Sequence, residues 1–157
     1  MSLVRKTKED IRPNAIPALL NELLANTIAF RLAAKQAHWN VKGESFIALH
    51  ERFDKTSTAV DGYADMLAER VAQLDGTAEG TLEAVSRQSS LPAYPINISG
   101  GKDHILALSA AISELAETHR RAIDAAADAG DAVTADLVTE VTRGLDKLHW
   151  FIHSHAV

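Results

Sequence analysis

Apolar residues recur along this chain in steps of three and four, the spacing of one face of an α-helix. In the first such stretch the face is carried by Ile16, Leu19, Leu20, Leu23, Leu24, Thr27 and Ile28. Asn14 after Pro13 reads as a cap, and Pro17 falls in the first turn, where its missing N–H costs little. A helix is therefore expected from about 14 to 40, with Gly43 ending the segment. The second face runs through Phe46, Leu49, Phe53, Ser57, Val60, Ala64, Leu67, Val71 and Leu74, which predicts a helix from Ser45 to just before Gly76. Gly62 interrupts it at a cost of about 1 kcal/mol relative to alanine, so close approach by something is expected there.

From 76 to 101 no long period survives. Pro92 and Pro95 break the pattern, and only 81–88 reads as a short helix. Two further helices follow, from 102 or 103 to 129 and from 133 to 153. Ile105, Leu108, Ile112, Leu115, His119 and Ile123 should face inward on one; Leu137, Val141, Leu145, Leu148 and Ile152 on the other. Two helices, a long crossover and two more helices describe an all-α four-helix bundle with a short helix in the connection. Residues 1–12 read as a flexible, mildly basic tail and 13–157 as the bundle domain.

Composition narrows the function classes. With 157 residues, 46% hydrophobic and 24% charged, the chain has the profile of one globular domain. No window is long and apolar enough to span a membrane, so no membrane partner is expected. The N-terminus has no apolar core of a secretory signal, which makes the cytoplasm the expected location. There is no cysteine, hence no disulfide and no thiolate metal site. The net charge of −5 argues against the chain body as a nucleic-acid binder. The tail carries Arg5, Lys6, Lys8 and Arg12 against Glu9 and Asp10, and reads either as a solvated terminus or as a contact for DNA phosphates.

The chemistry gathers in the second helix. At about 100° per residue, His50, Asp54, Asp61, Asp65 and Glu69 form one stripe beside the apolar face. His50 with Asp54 and Asp65 with Glu69 are i,i+4 pairs, each able to hold a cation. Asp54 and Asp65, however, lie roughly 16 Å apart along the axis, too far for one cluster. The midpoint of 50 and 69 coincides with that of 54 and 65, and Gly62 and Ser57 flank the same point. A two-fold axis at that level brings His50 and Asp54 of one chain to Asp65 and Glu69 of another. The competing reading is a solvated acidic face paired with Arg52, Lys55 and Arg70.

The runs KQAHWNVKGESFIALHERFD and DGYADMLAERVAQLDGTAEGT, with AYPINI, TADLV and RGLDKLHWFI downstream, resemble the Dps family, the mini-ferritins. The likeness covers nearly the whole chain. It implies an intersubunit di-iron ferroxidase centre made by His38, His50 and Asp54 of one subunit and Asp65 and Glu69 of its two-fold mate. It also implies a dodecamer that oxidises Fe²⁺, preferably with hydrogen peroxide, and stores ferric iron in its hollow shell, protecting DNA from oxidative damage. The alternative is a DNA-condensing nucleoid protein with secondary iron chemistry, although twelve chains would carry about −60 in all.

Trp39 beside His38 reads as an electron donor or as packing for the site. Asp128, Asp131 and Asp136 fall in the region that resembles the family's acidic three-fold pores. His149 and His153 are i,i+4 near the end with His155 close by, and read as a divalent-metal pair or as exposed and capping residues. His104 reads as a helix-start residue, His119 as partly buried, and Arg70 with Asp146 as a candidate ion pair.

Overall fold

A computed structural model describes residues 15–156. The expected cap at Asn14 and the tail with Arg5, Lys6 and Lys8 lie outside them. Five helices follow in order: α1 Ala15–Asn40, α2 Phe46–Gln73, α3 Leu82–Gln88, α4 Gly101–Asp128 and α5 Ala132–His153. The chain is an all-α four-helix bundle with α3 as the short helix of the connection. α1 packs along α2 and α4 along α5; contacts of α1 with α4 and α2 with α5 close the bundle, and α3 lies against α1. Among the described helices none is long and apolar enough to cross a membrane.

The core follows the apolar periods. One cluster joins Phe30, Leu49, Phe53, Val60, Ile105, Leu108, Ile112, Leu115, Val141, Leu145 and Ile152. A second joins Leu20, Leu23, Leu24, Leu67, Val71, Ala122 and Val138. Phe46, expected on the buried face of α2, is exposed instead, because it lies at the mouth of the α1–α2 turn rather than over the core. His119 is not partly but fully buried.

Two asparagines of α1, absent from the periodic pattern, fix the crossover. Asn21 donates to the Thr77 carbonyl and accepts from the Glu79 amide, both at 2.9 Å. Asn26 accepts from the Ser90 amide at 2.8 Å and the Ser89 hydroxyl at 3.0 Å. Buried polar groups need such partners, so the connection stays on one path despite its two prolines. Its far end is tied back where the Lys42 amide donates to the Ser99 carbonyl at 2.8 Å.

Nothing in the described residues approaches Gly62; close neighbours are met instead at Gly76, Gly101 and, most tightly, Gly144. A Cβ at Gly144 would lie 2.1 Å from the Tyr63 hydroxyl, so α5 passes α2 with no room for a side chain. Arg70 and Asp146 do not pair within the chain. Arg70 reaches Asp131 at 3.1 Å, and Asp146 takes Arg120 at 2.8 Å.

Candidate metal centre

The turn between α1 and α2 decides the geometry of the histidines. Gly43 takes φ +113°, a conformation that favours glycine, and reverses the chain so that the end of α1 meets the start of α2. His38 and His50 then exchange hydrogen bonds: each Nδ1–H donates to the other's main-chain carbonyl at 2.7 Å. Their rings stack with centroids 3.8 Å apart and planes 18° from parallel. A carbonyl only accepts, so each Nδ1 carries a proton, and in the neutral imidazole it is Nε2 that offers a lone pair. Fixing a ligand's tautomer through its other nitrogen is how proteins prepare histidine for a metal.

Asp54 stands one turn after His50. Lys35 donates to it at 2.5 Å, and that hydrogen bond is the main reason its pKa lies below the ordinary carboxylate value. The positive charge of Lys35 acts in the same direction; burial opposes it and is outweighed by the hydrogen bond. The histidine half is therefore prepared for a cation and already holds one, the Lys35 ammonium.

Asp65 and Glu69 occupy the other end of the stripe, both exposed. Neither forms an ion pair among the described residues, whereas Asp61 between them and the histidines pairs with Arg31 at 3.0 Å. The cations facing the stripe thus come from α1, not from Arg52 or Lys55; Arg52 lies over the Phe151 ring, 4.6 Å from its centroid. Arg31 and Lys35 were missed by sequence reasoning, though their i,i+4 spacing at the polar edge of α1 was a legible signal. Among the described residues no three His, Asp or Glu side chains stand close enough to hold one ion. One chain brings together His38, His50 and, a turn away, Asp54; it leaves Asp65 and Glu69 apart.

The surface around both ends is open. A cavity of about 610 Å³ runs past Arg31, Asp61, Gly62 and Asp65. Trp39, Phe46 and Ile47 are exposed apolar residues beside the histidines, and Phe46 tilts over the His50 ring at 5.1 Å. Trp39 is 66% exposed, so most of its ring is left uncovered by its own chain. Ser57, expected beside Gly62 at a two-fold contact, is buried against α1, where its hydroxyl donates to the Arg31 carbonyl at 3.4 Å. Five residues separate it from Gly62, which turns it about 140° away on the helix.

The three aspartates at the α4–α5 turn differ in role. Asp128 and Asp136 are exposed. Asp131 caps α5, accepting from the Thr134 amide at 2.9 Å, and also holds Arg70. Burial pushes its pKa up, but the bonds from Thr134 and the Arg70 charge outweigh this and hold it below the ordinary value. His104 and His119 belong to the interior. Tyr94 donates its hydroxyl to His104 Nδ1 at 2.7 Å, with the phenol pKa pushed up and the imidazole pKa pushed down by burial.

A ferritin-like domain model matches residues 17–157. A DNA protection during starvation protein from Agrobacterium fabrum is 48% identical over 153 residues, spanning 96% of this chain and 94% of its own. The crystal structure of a C-terminal deletion mutant of Mycobacterium smegmatis Dps superposes with a TM-score of 0.87 at 31% identity, covering 92% of this chain and 99% of that one. A Vibrio cholerae DPS protein, described as a member of the ferritin-like diiron-carboxylate superfamily, gives 0.86 at 25% identity over 92% and 91% of the two chains.

Proposed function

The chain belongs to the ferritin-like family, in its Dps branch, and on that premise we propose that it is an iron-storing ferroxidase whose metal centres are completed between two subunits. Iron is its substrate and cargo. The observation that carries the reading is the division of one helical stripe into a histidine half and an acidic half. Two antiparallel copies of α2 unite His38, His50 and Asp54 of one chain with Asp65 and Glu69 of the other. The exposed Trp39, Phe46 and Ile47 and the open surface at Gly62 support a partner on this face.

The ligand set suits the reaction. Imidazole and carboxylate bind Fe²⁺, and the hard carboxylates stabilise the Fe³⁺ product more strongly. Two Fe²⁺ each give one electron to a single hydrogen peroxide; its O–O bond breaks, and two protons complete two waters. Because the electrons leave as a pair, no hydroxyl radical is released. Trp39, next to His38 in sequence and exposed, would be the electron donor should one iron be missing. Twelve such chains would form the closed shell that stores the product, with Asp128 and Asp136 drawing Fe²⁺ to its entrances. DNA contact rests with Arg5, Lys6 and Lys8 in the tail, and the name borne by the Agrobacterium relative favours a protective role.

Mixed assembly tests the shared site. His50→Ala and Asp65→Ala chains, each inactive alone, are unfolded together and reassembled. Random pairing puts an intact histidine half against an intact acidic half in about a quarter of the sites. Peroxide-driven Fe²⁺ oxidation is expected to return to that level; no recovery would overturn the shared centre.

A further inference from the structure

The seven histidines of the chain divide three ways. His38 and His50 face each other on the stripe, and His104 and His119 are buried in the interior. His149, His153 and His155 remain, all in the last turns of α5 and the residues after it. Every ring hydrogen bond among the described histidines belongs to the first four.

His149 and His153 stand one turn apart on the same side of α5, their ring centroids 5.7 Å apart and their planes 32° apart. Imidazole nitrogens hold Zn²⁺ at about 2.0–2.1 Å, so two rings sharing an ion have centroids roughly 5 Å apart. The observed spacing closes to that with a small side-chain rotation. The charges nearby are occupied elsewhere: Asp146 holds Arg120, and Lys147 lies over the Phe151 ring at 5.6 Å. His155 lines a separate cavity with Lys42, Glu44 and Lys102. The C-terminal end of a helix, with its unpaired carbonyls, also favours a cation.

We propose that His149 and His153 form a two-histidine chelate for a late first-row divalent cation of the copper, nickel or zinc kind, with water completing its coordination. An imidazole pair without a carboxylate favours these ions over Fe²⁺ by ligand type and by the general order of stability. The site would therefore hold a different metal from the acidic stripe.

The test uses the full-length, assembled protein carrying His38→Ala and His50→Ala, so that the stripe does not compete. Cu²⁺ is titrated by calorimetry, and its nitrogen ligands are read from electron paramagnetic resonance. One Cu²⁺ per chain with a two-imidazole signature is expected. His149→Gln or His153→Gln should weaken binding at least about tenfold and remove one nitrogen from the signal. His155→Gln should leave both readings unchanged, and circular dichroism should show full helicity in each variant. Unchanged affinity and spectrum in the doubly substituted His149→Gln, His153→Gln protein would overturn the proposal. Loss of binding on His155→Gln would overturn the two-ligand assignment.

Discussion

The two ends of the α2 stripe are opposites. The histidine end is ordered in advance: two Nδ1–H groups are spent on carbonyls, the rings are stacked, and Lys35 sits on Asp54. The acidic end is bare, its two carboxylates exposed and without an ion pair among the described residues. Imidazole must have its tautomer and direction fixed before it can ligate, whereas an ionised carboxylate can accept from almost any side. One half brings geometry to the proposed centre and the other brings charge.

The largest effect should come from destroying either half. His50→Ala or Asp65→Ala is expected to reduce peroxide-driven Fe²⁺ oxidation about 100-fold, by analogy with the cost of disturbing a ligand shell, with the assembly mass unchanged. Stopped-flow absorbance and light scattering read the two quantities. Full activity in both variants would break the comparison outright.

His119 shows what separates a ligand from a core residue. Its Nδ1–H also donates to a carbonyl, that of Leu115 at 2.9 Å, but its ring is buried and desolvation holds its pKa down to about 4 from an ordinary 6.5. Between those values the unfolded chain binds the proton and the folded chain does not. Stability is thus complete above pH 6.5 and declines as pH falls towards 4, by up to about 3 kcal/mol. His119→Leu should flatten Tm against pH across that window. An unchanged slope would show that His119 is not the group responsible.

Smaller effects distinguish the aspartates. Asp131→Asn should cost about 1 kcal/mol by weakening the α5 cap and the Arg70 contact, visible as a lower urea midpoint. Asp128→Asn and Asp136→Asn should leave stability unchanged and slow iron entry into the assembled shell. Equal stability in all three variants would contradict the structural role of Asp131. The smallest effect concerns Lys35. Lys35→Met frees Asp54 from its ion pair, and Co²⁺ used as a redox-silent substitute for Fe²⁺ should then bind about two- to five-fold more tightly at neutral pH, since a solvent-exposed pair is weak and competes only modestly. Weaker binding would mean that Lys35 organises the histidine half rather than competing for it.

The amino-acid pattern alone determined the bundle. Steps of three and four along α1, α2, α4 and α5 allow only one face to be buried, and the long stretch between them allows only a crossover. It also placed the stripe and its division in two, because the rise per residue forbids Asp54 and Asp65 from sharing an ion within one helix. Tertiary structure decided what no spacing encodes. The exchange of hydrogen bonds between His38 and His50, Lys35 on Asp54, Asn26 holding Ser90, and Tyr63 against Gly144 all join residues on different segments. Sequence period reports which way a side chain points from its own helix; its partner depends on how the helices are set against each other. Ser57 and Gly62 make the point: equidistant from one midpoint in sequence, they face different surroundings, one packed against α1 and the other open.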